Sequence, residues 1–219
     1  MEQTPFIDIE FANNPEQRCA CLLILDNSGS MSGTKINELN AGLRLFQNEL
    51  NSDSLASKRV EIGIISFGPV KVVQDFTSIY NMSEVNLQAE GGTPMGEAIK
   101  EGIKLLERRK MVYKENGVPY YRPWIFLITD GEPTDSINEA SQLVKEGEEL
   151  KKFSFFAVGV DDANMSILRK ISVREPLKLR GMSFRELFVW LTSSMKNVSH
   201  SMPNEKLMLQ SPKGWAEID

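Results

Sequence analysis

The sequence predicts an α/β protein with a doubly wound, mostly parallel sheet, one antiparallel edge strand and helices on both faces. Three observations point there. Short apolar runs alternate along the chain with segments whose apolar residues recur every three or four positions. Two of the runs, Ala20–Leu25 and Trp124–Thr129, end at an acid with glycine close behind, as buried strands that stop at a loop do. One Gly68-Pro69 pair joins two extended runs, the mark of a hairpin and so of an antiparallel strand at an edge.

Taken in order, residues up to Arg18 are polar and read as an arm or a short edge strand. Ala20-Cys21-Leu22-Leu23-Ile24-Leu25 is the first buried strand, and Asp26-Asn27-Ser28-Gly29-Ser30-Met31-Ser32-Gly33 is its loop. Ile36, Leu39, Leu43, Phe46 and Leu50 then give a helix from about Lys35 to Leu50 its apolar face. Asn51–Ser54 breaks it. Val60, Ile62, Ile64 and Ile65 form a second strand, and Gly68-Pro69 turns it into Val70–Phe76. In Glu90-Gly91-Gly92-Thr93-Pro94-Met95-Gly96-Glu97, Pro94 suits a first helical position and Thr93 the cap before it. Met95, Ile99, Gly102, Ile103 and Leu106 are the inner face of that helix. The stretch from Arg108 to Tyr121 reads as a polar surface excursion or small hairpin.

Trp124–Thr129 leads into Asp130-Gly131-Glu132-Pro133-Thr134-Asp135, after which Ser136 and Glu139 match a capping box. Phe153–Val160 is another strand ending at Asp161-Asp162, acids that suit a turn or cap better than a further site. A short helix near Ser166–Ile171, a last strand at Leu177–Leu179 and a helix carrying Phe184, Leu187, Phe188, Leu191 and Val198 complete the scaffold. Ser183 and Glu186 match a capping box for that last helix. Beyond Pro203 the chain is polar and expected on the surface. The division is an arm at 1–18, one domain at 19–200 and a tail at 201–219.

Composition narrows the function. With 219 residues, one α/β domain is expected, and 41% hydrophobic residues suffice for its core. A net charge of -5 gives no basic footprint for nucleic acid. Met1–Gln17 lacks the pattern of a signal peptide, and no apolar run approaches the roughly eighteen residues of a membrane span. Cys19 and Cys21 lie two apart on one strand, too close to pair, and are read as small buried hydrophobes of a reduced, cytoplasmic protein.

The chemistry lies in the loops. Asp26, Ser28 and Ser30 offer hard oxygen at alternate positions, and Gly29 permits the loop to curl around a small cation. Mg²⁺ takes octahedral oxygen coordination with one or two carboxylates. No His or Cys is at hand for zinc or copper. The same residues also suit a helix cap, so alone they leave both readings open. The Thr93 hydroxyl is either a cap or a donor turned toward a metal. Should both strands be central and parallel, Asp130 faces the crevice that Asp26 faces, and two such carboxylates repel unless a proton or cation lies between them.

Together Asp26–Ser32 (D-N-S-G-S-M-S), Gly91–Pro94 (G-G-T-P) and Thr129–Asp135 (T-D-G-E-P-T-D) resemble a von Willebrand factor A domain, over roughly Cys19 to Ser199. The resemblance implies a Rossmann-like sheet and a metal-ion-dependent adhesion site whose ligands are Asp26, Ser28, Ser30, Thr93 and Asp130. It implies Mg²⁺, or Mn²⁺, and a protein partner that offers an Asp or Glu carboxylate. Asn27, Met31 and Glu132 flank the ligands and are expected to touch that partner. Tyr121-Arg122-Pro123-Trp124, the Phe184–Leu191 helix and Pro212–Glu217 are similar to bacterial tellurite-resistance-associated (TerY-like) members, which implies a kinase or phosphatase of the same system as partner.

The competing reading is a metal-assisted hydrolase or phosphotransferase using Asp26 and Asp130. Against it, Gly29 and Gly33 bracket Met31 rather than a serine nucleophile, no P-loop occurs, and the single histidine, His200, reads as a solvated helix end. No enzyme activity is expected.

Overall fold

The computed structural model describes residues 9–161, 163–201, 214, 216 and 217. Its sheet has seven strands: β1 (Cys19–Leu25), β2 (Val60–Phe67), β3 (Val70–Ser78), β4 (Trp124–Thr129), β5 (Ser154–Gly159), β6 (Leu177–Leu179) and β7 (Ala216–Glu217). The spatial order is β3-β2-β1-β4-β5-β6-β7. β1 is parallel to both β2 and β4, and β5 and β6 continue the parallel run. β3 is the expected antiparallel edge strand. A second antiparallel strand, β7, closes the other edge against β6, so part of the tail belongs to the sheet. Residues 202–213, 215 and Asp162 lie outside the described residues, and with them most of the C-terminal resemblance.

The helices are α1 (Ile9–Asn13), α2 (Thr34–Asn51), α3 (Ala56–Arg59), α4 (Met95–Glu115), α5 (Asn138–Glu149), α6 (Met165–Ile171) and α7 (Phe184–His200). Strand side chains alternate between faces, so the sheet carries two cores. Cys19, Cys21, Leu23 and Leu25 pack with Leu39, Leu43 and Phe46 of α2 and Leu187, Phe188 and Leu191 of α7. Ala20, Leu22 and Ile24 pack on the other face with Ile99 and Leu106 of α4, Val144 of α5 and Leu168 of α6. α2 and α7 meet closely at Gly42, where an added Cβ would stand 2.3 Å from the Phe188 ring. Both cysteines are free and buried, and burial, with the nearby Glu61 charge, pushes the Cys19 thiol up to about 12. Among the described residues no helix is long and apolar enough to cross a membrane.

The structure revises several local expectations. The stretch from Arg108 is no surface excursion: α4 runs on to Glu115, with Lys110 and Tyr113 buried, and ends at Asn116 before Gly117 at φ 66°. Its run of cationic residues hid an inner face that Leu105, Leu106 and Tyr113 continue. The arm is packed where it is described, with Phe11 and Arg18 buried and Arg18 bridged to Tyr120. Pro94 occupies the cap of α4 rather than its first turn. α5 starts at Asn138, two residues after Ser136, so the capping box does not form. The Ser183 hydroxyl donates to the Arg180 carbonyl and leaves α7 without a side-chain cap.

Candidate functional site

β1 lies between strands that leave it in opposite directions along the sheet, so the loops after β1 and β4 part and open a crevice at their carboxyl ends. Leu25 pairs with Ile128, and the Asp26 N–H donates to the Ile128 carbonyl at 2.9 Å. Asp26 and Thr129 therefore leave the sheet side by side. The Asp26 carboxylate is fully buried: one oxygen accepts the Ser28 N–H at 2.8 Å, and the other accepts the Thr129 hydroxyl at 2.5 Å. Burial pushes its carboxyl above the usual range and the charge on Asp130 adds to this, while the Ser28 and Thr129 hydrogen bonds work the other way.

From Asp26 the polar chain crosses the crevice. Ser30 Oγ donates to Asp130 Oδ1 at 2.7 Å and lies 3.0 Å from Ser28 Oγ. Lys35, in the first turn of α2, donates to Asp130 Oδ2 at 2.6 Å and also pairs with Asp161 at 3.1 Å. Burial lowers the Lys35 pKa, but hydrogen bonds and charge from Asp130 and Asp161 outweigh that and hold it above its ordinary value.

The second loop is fastened to the other two by its backbone. Gly29 N–H donates to the Gly91 carbonyl at 3.0 Å, and Gly91 sits at φ 67° where a Cβ would meet the Gly68 carbonyl oxygen. Thr93 accepts the Thr134 N–H at 2.9 Å on its carbonyl, and its own N–H donates to Thr134 Oγ1 at 3.1 Å. Asp135 supplies the cap of α4, accepting the Gly96 and Glu97 N–H groups at 2.9 and 2.7 Å. The Thr93 hydroxyl is thereby left free of the capping duty the sequence offered it. A Cβ built on Gly131 would lie 3.3 Å from Thr93 Oγ1 and 3.6 Å from Ser30 Oγ, so both hydroxyls border one small space above that glycine.

The structure thus brings Asp26, Ser28, Ser30, Thr93 and Asp130 together. Two carboxylates and three hydroxyls around a space only a glycine leaves open suit a small hard cation. Among the described residues no group of three or more His, Cys, Asp or Glu side chains is arranged to hold a metal. His200 is half exposed and pairs with Asp53 before α3, at the other end of the sheet.

Of the three residues expected to touch a partner, only Glu132 is exposed, with its carboxylate accepting from Asn164 Nδ2 at 2.8 Å. Met31 is fully buried in the α2 core because the short 3₁₀ turn Gly29–Met31 folds it inward. Asn27 is also buried, donating to the Gln88 carbonyl at 2.8 Å, and its Oδ1 finds no partner among the described residues. Neither side chain can meet a partner without opening the loop. The sequence reading missed the roles of Thr129, Lys35 and Asp135, and preferred a turn or cap to a further site at Asp161. The threonine before Asp130 and the lysine opening the helix were the available signals.

The chain matches the von Willebrand factor type A domain over residues 22–185. It is 21% identical to the collagen alpha-6(VI) chain of Homo sapiens over 161 residues, 73% of this chain and 7% of that one. It is 27% identical to the inter-alpha-trypsin inhibitor heavy chain H4 of Sus scrofa over 164 residues, 69% of this chain and 17% of that one. It thus spans a small part of both relatives. The pilus adhesin SpaC from Lactobacillus rhamnosus GG superposes with a TM-score of 0.64 at 15% identity, over 84% of this chain and 30% of that one, which shows a shared fold.

Proposed function

The chain belongs to the von Willebrand factor type A domain family, and from that premise we propose that its rim loops form a metal-dependent site for a protein partner. Domains of this family commonly mediate protein–protein interaction. The observation that carries the proposal is the meeting of Asp26, Ser28, Ser30, Thr93 and Asp130 from three loops in one hydrogen-bonded crevice. These five side chains would hold Mg²⁺ or Mn²⁺. Bound there, the ion supplies Lewis acidity toward a carboxylate oxygen of the partner.

The chain's own residues do the rest. Thr129 fixes the Asp26 carboxylate, and the Ser28–Ser30–Asp130 relay keeps the hydroxyl oxygens turned into the crevice. The α4 cap by Asp135 leaves Thr93 available. Glu132, on the exposed rim, is the flanking residue able to meet the partner. The resemblance of Tyr121–Trp124 and Phe184–Leu191 to tellurite-resistance-associated proteins extends the proposal to a kinase or phosphatase of a bacterial metal-stress system as partner.

Metal and partner affinities are then linked, each raising the other by the same factor. The test is a partner captured from the native host and titrated against wild type and Thr93→Ala, first in EDTA and then with added Mg²⁺. Binding should disappear in EDTA, return with Mg²⁺, and be weakened or lost in Thr93→Ala. Binding that ignores EDTA overturns the proposal.

A further inference from the structure

We propose that Lys35 is a tethered counter-ion of the rim, which holds Asp130 until a divalent cation arrives and passes wholly to Asp161 when that cation binds. The inference rests on the metal reading above and concerns what sets the affinity of that site.

The geometry is specific. Lys35 Nζ lies 2.6 Å from Asp130 Oδ2, while Ser30 takes the other oxygen of the same carboxylate. The lysine therefore bonds directly to a side chain assigned to the metal. Its second acceptor, Asp161 Oδ2, is already in contact at 3.1 Å, with the Asp161 side chain 48% exposed. A shift of the ammonium from one carboxylate to the other breaks one short contact and needs no new burial. The four-carbon stem of lysine allows such a move, which a planar, forked guanidinium would not make as easily.

Charge supplies the direction. Asp26, Asp130 and Asp161 carry three negative charges at the rim, and Lys35 offsets one of them. A divalent cation between Asp26 and Asp130 neutralises that pair, and Lys35 with Asp161 then forms a second neutral pair. An ammonium left on Asp130 would face the dication across a single carboxylate, and a single and a double positive charge about 4 Å apart repel by roughly 2 kcal/mol even in water, or about thirtyfold in affinity. Lys35 thus holds the rim acids together without metal and weakens metal binding by its presence, and Asp161 limits that weakening by accepting it.

The experiment is calorimetric titration with Mn²⁺ of wild type, Lys35→Met, Asp161→Asn and the double variant, each checked for fold by near-ultraviolet circular dichroism. Asparagine suits the backbone of Asp161, at φ 55°, since it tolerates the left-handed region. Lys35→Met should bind Mn²⁺ severalfold tighter, and at most about thirtyfold, since Asp161 already relieves part of the repulsion. Asp161→Asn should bind severalfold weaker, and this loss should shrink in the Lys35→Met background. Affinity in Lys35→Met equal to or below wild type, or an Asp161→Asn loss unchanged by that background, overturns the inference while leaving the metal reading standing. Absence of Mn²⁺ binding in all four proteins overturns the metal reading and this inference together. Should Lys35→Met fail to fold, Asp161→Asn decides alone: wild-type affinity there overturns the inference.

Discussion

Glu61 and Asp26 are fully buried carboxylates at opposite ends of the neighbouring parallel strands β2 and β1, and their surroundings differ. At the base, Glu61 accepts Arg18 Nε at 2.8 Å, Arg109 Nε and Nη2 at 2.7 and 2.8 Å, and the Tyr113 hydroxyl at 2.5 Å. Arg109 also reaches Glu10, and the rings of Phe11 and Tyr113 lie against the guanidinium groups. Burial works against the charge on Arg109, but Glu61, Tyr113 and Glu10 hold its pKa above the ordinary value. At the rim, Asp26 has hydrogen bonds from an amide and a hydroxyl, and the cation nearby pairs with Asp130 and Asp161 instead. Two arginines close the base electrostatically within the chain. The rim keeps buried negative charge that a cation from outside can satisfy. One end therefore serves the fold, and the other bears the charge imbalance on which the proposed metal site rests.

The largest expected effect tests the closed end. Glu61→Gln leaves the buried Arg18 guanidinium and the partly buried one of Arg109 short of their counter-charge and should cost about 3–5 kcal/mol in urea denaturation. The loss should be the same in EDTA and in Mg²⁺. A cost near zero would mean that the base arginines find other partners and that the two ends are alike.

Between the ends, Leu43 lies on the inner face of α2, the helix that carries Lys35. Leu43→Ala should cost about 2–5 kcal/mol by denaturant titration. Arg44, exposed on the same helix, should tolerate alanine with a far smaller change.

At the open end, Asp26→Asn removes a carboxylate whose charged form burial already disfavours. Metal-free stability should change by less than about 1.5 kcal/mol, the scale of one rearranged hydrogen bond. The rise in melting temperature that Mn²⁺ gives wild type should vanish in this variant. A metal-free loss as large as that of Glu61→Gln would make Asp26 a structural acid and dissolve the contrast.

The smallest effect belongs to Asp53, a partly exposed carboxylate on the base side. Burial would raise its pKa, but the Ala56 amide, His200 and the Leu55 amide outweigh this and lower it. A lowered folded value means that its stabilisation is present above the usual carboxylate range and is lost as pH falls through the folded value. Asp53→Ala should cost about 1 kcal/mol at neutral pH, typical of a lost helix cap. The difference from wild type should disappear in acid. A gap that persists at low pH would show that packing rather than charge is lost.

What the sequence by itself determined is what depends on near neighbours in the chain. Apolar runs set β1, β2, β4 and β5, because burying a strand on both faces needs only consecutive apolar residues. Spacing by three and four set α2 and α7 for the same local reason. Asp26, Ser28 and Ser30 were candidates because one loop offers their oxygens at alternate positions, while Thr93 and Asp130 joined them as a set only through the family resemblance. Tertiary structure decided the rest. Lys35 meets Asp130 across 95 residues, Thr129 meets Asp26 across 103, and Glu61 meets Arg109 across 48. Such partners are chosen by strand order and helix placement, to which no local pattern is sensitive. The same physics misdirected the reading of Arg108 to Tyr121: its charges suggest solvent until a buried Glu61 is there to draw Arg109 and Tyr113 inward. It also misassigned Met31 and Asn27, since a 3₁₀ turn and the Gln88 carbonyl, not residue type, decide which side chains of that loop face inward.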